Sequence, residues 1–149
     1  WAVDLSEQAV ATTRRNAGNA NVADRVQSLH GDLFDPLPQE LIGTVDFVVS
    51  NPPYIPSADL PDLPAEILGF EPALALDGGS DGLHTFRRIA AEAGRWLALG
   101  GGLAVELDSG CVASAAGELR GTFEGVTVRR DLAGRERIVY ARKGRSMLR

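Results

Sequence analysis

Hydrophobic and polar residues alternate along this chain in short blocks whose period changes from one block to the next. The clearest block is Val45–Val49, which is short, nearly all apolar and rich in β-branched residues, as is typical of a buried parallel strand. Five further apolar runs predict strands, at residues 1–3, 25–30, 103–107, 126–130 and 137–141. Apolar residues at helical spacing predict three helices, one from the N-cap Ser6 to a stop at Gly18-Asn19 and two over residues 83–99 and 112–119.

The alternation of strands and helices favours an α/β fold built on a mostly parallel sheet with helices on both faces. The last two predicted strands are too close in sequence for a crossover helix between them, so at least one of them runs antiparallel. Gly100–Gly102 is interpreted as a turn between a helix and a strand, because neither a following helix nor a Lys-Ser/Thr pair makes it a phosphate loop.

Composition places the chain among globular proteins. Its 149 residues, 44% hydrophobic and 23% charged, suit one domain with one core. With 15 Lys and Arg against 20 Asp and Glu the net charge is −5, which disfavours a dedicated duplex-DNA binder, and the basic residues are scattered except at Arg142–Arg149. The single cysteine, Cys111, excludes an internal disulfide and a cysteine-built zinc site. We therefore expect a cytoplasmic protein without a bound metal and without a membrane-spanning segment.

A proline-rich segment follows the strongest predicted strand. Five of the eight prolines lie between residues 52 and 64, which excludes a regular helix or a central strand there. The segment continues to about residue 72, too long for a simple connection, and loops of that length are usually functional. Because ligands of open α/β sheets bind beyond the carboxyl ends of strands, a site is expected at the beginning of this segment.

The segment begins with Asn51-Pro52-Pro53-Tyr54, four residues that suit the binding of a planar NH₂ group. The Asn51 side chain can accept a hydrogen bond from an amide or amine and can donate one of its own. Pro52 and Pro53 lack backbone donors and leave rigidly placed carbonyl acceptors, and Tyr54 offers a flat ring. The alternative is a plain strand-ending turn, because Asn-Pro and Pro-Pro are common turn dipeptides.

Asn51–Tyr54 resembles the motif of S-adenosylmethionine-dependent methyltransferases that modify planar amine nitrogens, either adenine N6 or a glutamine amide. Further segments resemble one branch of these enzymes, the protein-glutamine N5-methyltransferases that act on peptide chain release factors: Phe70–Leu76, Gly78–Leu83, Arg87–Ile89, Gly101-Gly102 and Arg130–Arg137. The resemblance extends from Trp1 to about Lys143 and implies a Rossmann-like class I methyltransferase fold.

The resemblance also implies roles for single residues. It assigns Asp4 to the ribose hydroxyls of the cofactor S-adenosylmethionine and Asp32 to its adenine amine, with Leu33 as an apolar wall. The other interpretations are that Asp4 caps the first helix and that Asp32 is a turn residue beside core residues. Asn51 is expected to contact both the cofactor and the substrate.

In the same resemblance, Asn51, Pro52 and Tyr54 carry the methyl transfer, and these residues with Pro53 seat a glutamine presented on a Gly-Gly-Gln loop of the release factor. A strong general base is not required, because a sulfonium methyl group is highly electrophilic and orientation with desolvation supplies much of the acceleration. The expected partner is therefore a release factor, without direct nucleic acid binding.

Two features of this family are absent from the sequence. No glycine-rich loop precedes Asp4, and no N-terminal helical substrate domain precedes Trp1. We therefore expect residues 1–149 to be a single catalytic domain that lacks the first, central strand of its sheet, as a fragment of a protein with roughly a hundred or more residues upstream.

Three alternatives stay open at this point. A methyltransferase for a glutamine of a ribosomal protein is separated from the release-factor enzymes only by the segment Arg130–Arg137. A DNA adenine-N6 methyltransferase shares Asn51–Tyr54 but needs a target-recognition region and a basic face. A non-catalytic fragment, which binds a partner but no longer binds the cofactor, is the alternative from outside the enzyme class.

Overall fold

The computed structural model describes residues 1–144, and these form two compact units that are divided between Leu41 and Ile42. Of the basic run Arg142–Arg149, the part from residue 145 onward lies outside the described residues. No helix within residues 1–144 combines the length and the apolar character that crossing a membrane requires.

The first unit, residues 1–41, is a small parallel βαβ arrangement. Strand β1 (Ala2–Asp4) pairs in parallel with β2 (Ser28–His30), and helix α1 (Glu7–Asn19) connects them. Ser6 is the N-cap of α1, as predicted, and its hydroxyl accepts a hydrogen bond from the Ala9 amide at 3.3 Å. A 3₁₀ turn over residues 39–41 ends the unit.

Strand β2 is shorter than the apolar run at 25–30 that predicted it. The Arg25 amide donates to the Val22 carbonyl at 3.0 Å, and Asn21 has a left-handed φ of +56°, so this stretch is occupied by turns. Pairing with β1 begins only at Ser28.

The second unit begins at Ile42, and its sheet has the predicted strand directions. Its elements, in chain order, are β3 (Val45–Ser50), a 3₁₀ turn (Leu60–Asp62), α2 (Ala65–Phe70), α3 (Ala73–Leu76), α4 (His84–Trp96), β4 (Leu97–Glu106), α5 (Val112–Leu119), β5 (Glu124–Arg130) and β6 (Glu136–Arg142). The strand order is β3-β4-β6-β5. Strands β3 and β4 are parallel, and β6 is antiparallel to both of its neighbours, which confirms the predicted antiparallel C-terminal strand.

Helices α4 and α5 pack against β4 and β6 and form the core of this unit. Alternate side chains along the two strands are fully buried, namely Leu103, Val105, Val139 and Ala141. Phe47 and Val49 of β3 are instead 50% and 73% exposed, and no residue of β3 is buried, so the strand is present as predicted but its predicted burial is wrong. Burial of apolar area thus stabilises the face of the sheet that α4 and α5 cover.

The predicted helix over 83–99, followed by a glycine turn, is wrong at its end. Strand β4 already begins at Leu97, so Gly100–Gly102 lie inside a strand. The register of β4 against β3 shifts beside these glycines, and the irregularity places Gly100 at a φ of +80°, which glycine adopts without steric cost. A bulged strand and a turn share this glycine-rich signal.

The proline-rich segment contains short helices that its composition did not predict. Pro64 and Pro72 lie directly before α2 and α3, where the missing N–H removes no helical hydrogen bond. These helices have only six and four residues, and none of their side chains is buried. The prolines thus exclude a long helix, as expected, and permit two short ones.

Candidate active site

The residues that follow β3 and β4 leave the sheet at the same edge, because the two strands are parallel. Asn51–Tyr54 follow β3 directly. Their burial differs, since Asn51 is exposed, Pro52 is buried, and Pro53 and Tyr54 are half-buried. The motif therefore presents the Asn51 amide to solvent while the next residue is anchored in the unit.

The side chain of Tyr54 is held by Arg137 of β6. Arg137 Nη2 donates to the Tyr54 hydroxyl oxygen at 2.9 Å, and Arg137 Cζ lies 5.1 Å from the centroid of the ring. The Arg137 side chain is only 16% exposed; its Nη1 donates to Asp108 Oδ2 at 3.0 Å, and its Nη2 lies 3.6 Å from Glu106 Oε1. Because the guanidinium donates to the Tyr54 oxygen, the phenolic proton remains available for another acceptor.

The groups around the Arg137 guanidinium keep it charged in a partly buried position. Burial by itself lowers the pKa of Arg137, but the hydrogen bond to Tyr54 and the charges of Asp108 and Glu106 outweigh burial and raise that pKa above its ordinary value. The group that fixes the Tyr54 ring is therefore a cation at neutral pH.

The main chain of Tyr54 is enclosed by the turn Gly78–Gly82. A Cβ on Gly78 would lie 2.7 Å from Tyr54 Cα, and a Cβ on Gly82 would overlap the Tyr54 carbonyl oxygen. Gly82 also has a φ of +75°, which residues with a Cβ avoid. Glycine is therefore required at both positions, which gives a steric reason for a segment that only the family resemblance singled out.

An ion-pair network supports the other side of this turn. Arg87 of α4 makes hydrogen bonds of 3.0 and 2.6 Å to Asp81 and of 2.9 to 3.2 Å to Glu118 of α5. The hydrogen bonds from Arg87 lower the pKa of Asp81. Cys111 Sγ lies 3.6 Å from the Asp81 carbonyl oxygen, and burial raises the pKa of its thiol. The turn that packs on Tyr54 is thereby tied to both helices.

Three of the four residues predicted to bind the cofactor, Asp4, Asp32 and Leu33, lie in the first unit, near the carboxyl ends of its two strands; the fourth, Asn51, belongs to the second unit. β1 and β2 are parallel and end opposite each other at Asp4 and His30, so Asp4, the last residue of β1, and Asp32, which follows β2, lie at the same edge. The Gly31 amide donates to the Asp4 carbonyl oxygen at 3.1 Å and holds the two chain segments together. Asp4 is exposed and Asp32 is half-buried.

Asp4 and Leu33 each show a further local feature. Asp4 Oδ1 accepts a hydrogen bond from the Ser6 amide at 2.8 Å, so this carboxylate does support the start of α1, whereas Oδ2 makes no hydrogen bond within residues 1–144. Leu33 has a φ of +46°, a left-handed conformation that is rare for leucine. Backbone of this kind concentrates at functional sites, where the surroundings hold it in place.

Comparison with solved structures places the fold among methyltransferases. A predicted O-methyltransferase from Agrobacterium tumefaciens has a TM-score of 0.60 at 19% identity, covering 97% of this chain and 62% of that one. The E. cuniculi Mtq2–Trm112 complex, described as responsible for methylation of the translation termination factor eRF1, has a TM-score of 0.51 at 19% identity, covering 95% and 82%. This likeness confirms the Rossmann-like methyltransferase fold.

Sequence comparison is more specific. A family model described as an RMKL-like methyltransferase domain matches residues 1–60. The release factor glutamine methyltransferase of Synechocystis sp. is 41% identical over 143 residues, or 95% of this chain and 48% of the relative. That of Gloeobacter violaceus is 43% identical over 143 residues, or 93% and 48%. The chain belongs to the release factor glutamine methyltransferase family. It spans about half the length of the curated relatives it matches.

The match to the release factor glutamine methyltransferases is shared in part by an enzyme named for a different protein. The ribosomal protein uL3 glutamine methyltransferase of Burkholderia pseudomallei is 43% identical over 110 residues, or 71% of this chain and 36% of the relative. Glutamine modification is thus common to the names of these relatives, whereas the protein that carries the glutamine differs among them.

Sequence reasoning about this family member missed Arg137 as the partner of Tyr54. Arg137 was included only as the first residue of a predicted strand and as part of the segment Arg130–Arg137. The available signal was that Arg137 directly precedes the apolar run Ile138–Val139, because a cation next to buried residues needs partners. Asp108, which follows β4 without any motif, left no signal at all.

Proposed function

We propose that the protein methylates the side-chain amide nitrogen of a glutamine in a peptide chain release factor, with S-adenosylmethionine as the methyl donor. The observation that carries this proposal is the Asn51–Tyr54 loop, which lies at the carboxyl end of β3 and is fixed by Arg137 and by the turn Gly78–Gly82. The names of the relatives support glutamine as the target and a release factor as its carrier. A substrate from translation makes the cytoplasm the expected place of the reaction.

The chemistry of the first unit fits the proposed cofactor. Asp4 and Asp32 lie at the carboxyl ends of neighbouring strands, and carboxylates accept hydrogen bonds from ribose hydroxyls and from an adenine amine. Asp4 is exposed and its Oδ2 makes no hydrogen bond within residues 1–144, which suits a carboxylate that receives a ligand. Leu33 offers an apolar side chain next to Asp32. When bound, the cofactor supplies an electrophilic methyl group on a sulfonium.

The task of the chain's own residues is to orient the glutamine amide. The Asn51 side-chain carbonyl accepts from one N–H of the amide, and the Pro52 carbonyl accepts from the other. An amide nitrogen is a poor nucleophile because its lone pair is delocalised. Two fixed acceptors for its N–H bonds hold the amide plane so that this lone pair, which is perpendicular to the plane, is directed at an electrophile. Orientation and exclusion of water of this kind contribute on the order of several kcal/mol to the rate.

Tyr54 covers the flat side of the glutamine amide in this proposal. Its ring can do so reproducibly only if its own orientation is fixed before the substrate arrives. Arg137 supplies that constraint through the 2.9 Å hydrogen bond to the hydroxyl. We therefore assign Arg137 as a positioning residue that acts through Tyr54.

A glutamine of a ribosomal protein is the second candidate substrate. It is favoured by the 43% identity to the uL3 glutamine methyltransferase over 110 residues. The release factor remains the first candidate, since its methyltransferases match 95% of this chain against 71% for the uL3 enzyme.

Methyl transfer from radiolabelled S-adenosylmethionine tests the proposal directly. The purified chain is incubated in parallel with a release factor, with the same release factor carrying Asn in place of the Gln of its Gly-Gly-Gln loop, and with the ribosomal protein. We expect label only on the unmodified release factor, preceded by cofactor binding in calorimetry. Label on the ribosomal protein alone would favour the second candidate. A folded chain that binds no cofactor would favour the non-catalytic fragment, and a chain that binds the cofactor but labels neither protein would contradict both substrates.

A further inference from the structure

We propose that the segment Ile55–Asp77, which we call the excursion, is a docking surface for a basic and apolar stretch of the protein that presents the glutamine. This inference rests on the proposed function, because it takes that protein as the occupant. It concerns recognition of the protein around the glutamine and not the chemistry at the glutamine itself.

The two ends of the excursion are tied together next to Tyr54. The Ile55 amide donates to the Leu76 carbonyl at 3.0 Å, and the Gly78 amide donates to the Ile55 carbonyl at 2.8 Å. Ser57 Oγ donates to Asp77 Oδ1 at 2.7 Å, which lowers the pKa of that carboxyl. A side chain that reaches Asn51–Tyr54 therefore brings the rest of its protein to the base of the excursion.

The excursion exposes large apolar side chains. Phe70 is 88% exposed, Leu74 is 64% exposed and Leu68 is 49% exposed. The two helices that carry them, α2 and α3, have no buried residue and so contribute nothing to the core of their unit. Apolar residues gathered on one exposed segment, rather than scattered singly, are typical of a surface that a protein partner covers.

The charge of the excursion specifies the partner. The sequence holds no lysine or arginine between Tyr54 and Arg87, whereas the excursion carries four exposed carboxylates besides Asp77: Asp59, Asp62, Glu66 and Glu71. None of these four forms an ion pair within residues 1–144. A partner that covers Phe70 and Leu74 therefore meets unpaired negative charge around them, which favours lysine and arginine beside apolar side chains.

Substitution of the carboxylates tests the charge argument. A variant with Asp59→Asn, Asp62→Asn, Glu66→Gln and Glu71→Gln keeps the shape of the surface and removes its charge. With the release factor as substrate, we expect KM to rise about tenfold with kcat unchanged, and the salt dependence of KM to weaken. With a free Gly-Gly-Gln peptide, both constants should stay as in the unchanged chain. The matched control, Asp24→Asn with Glu40→Gln, neutralises exposed carboxylates elsewhere and should alter nothing.

Photocrosslinking tests the apolar argument without relying on catalysis. A benzophenone side chain introduced at Phe70 should crosslink to the release factor. The same group at Leu99, an apolar residue that is 64% exposed near the start of β4 and away from the Asn51–Tyr54 edge, should not. A crosslink without methyl transfer would reject the proposed function and retain the docking surface. Methyl transfer to the release factor, with no change in KM in the carboxylate variant and no crosslink from Phe70, would support the proposed function and reject the docking surface. Crosslinking only to a second copy of the chain, or equally from both positions, would also overturn the docking surface.

Discussion

Tyr54 belongs to the Asn51–Tyr54 motif and Phe70 to the excursion that follows it, and these two aromatic residues are held in very different ways. The Tyr54 hydroxyl is bonded to a half-buried arginine and its main chain is enclosed by two glycines, whereas Phe70 is 88% exposed on a helix without a buried side chain. A group that orients a reacting atom must be held before the substrate arrives, because freedom still to be lost reduces the gain from binding. A side chain that selects a partner can be exposed in the free protein, because the partner buries it on binding.

The largest expected effect comes from removing the side-chain amide of Asn51 in the Asn51–Tyr54 motif. Asn51→Ala should lower kcat/KM for methyl transfer about 100- to 1,000-fold, the range found for losing one preorganised hydrogen-bonding group. The free energy of unfolding should hardly change, since Asn51 is exposed. Asn19→Ala, at the exposed end of α1, is the control and should keep full activity. Activity within about threefold of the unchanged chain would remove Asn51 from the mechanism.

Gly82→Ala tests whether the turn Gly78–Gly82 constrains the main chain of Tyr54. Gly134 is the matched control, because it has a φ of +81° against +75° at Gly82 but has nothing within 4 Å of an added Cβ. Gly134→Ala should destabilise the chain by about 1 kcal/mol through backbone strain alone. Gly82→Ala should cost about 1–3 kcal/mol more, because its Cβ overlaps the Tyr54 carbonyl oxygen. Urea unfolding measures both, and equal losses would mean that the turn does not constrain Tyr54.

Arg137→Met removes the cation that holds the Tyr54 ring and leaves Glu106 and Asp108 without this ion-pair partner. We expect a loss of about 1–3 kcal/mol in stability and a fall in kcat with little change in KM. The chain has two tyrosines, so ¹³C-labelled tyrosine gives two ring signals, and the signal that Tyr54→Phe removes should shift in the Arg137 variant. Arg130→Met, whose side chain is 68% exposed, is the control. An unmoved signal would show that Arg137 does not position the ring.

The smallest effect concerns pH. The pKa of Asp81 is lowered by its hydrogen bonds from Arg87, so its contribution to stability is present above the ordinary carboxyl pKa near 4. That contribution is lost as the pH falls from there through the lowered pKa of the folded state. Asp81→Asn should therefore be slightly less stable than the unchanged chain at pH 7, and the difference should shrink as the pH falls below the ordinary carboxyl pKa. A difference that persists in acid would point to packing of Asp81 rather than to its charge.

Local patterns were enough to predict most elements of the second unit. The strand over Val45–Ser50, the helix Val112–Leu119 and the pair of strands around the turn near Gly134 all depend on residues within a few positions of one another. The position of Asn51–Tyr54 was predictable for the same reason, because the motif follows its strand directly. The glycines at 100–102 were misjudged, because a bulge is recognised only against the neighbouring strand.

By itself, the sequence determined the family, the order of the elements and the side chains that could meet an amide. Tertiary structure decided what holds those side chains. Arg137 and Tyr54 are 83 residues apart in the sequence. They meet because β6 lies beside β4 and β4 lies beside β3, the strand that Asn51–Tyr54 follow. Gly82 is required only because the Tyr54 carbonyl occupies the space of a Cβ. Contacts of this kind depend on the order of the strands in the sheet and on close packing. Neither produces a periodic pattern or a fixed residue spacing in the sequence, so neither could be predicted from it.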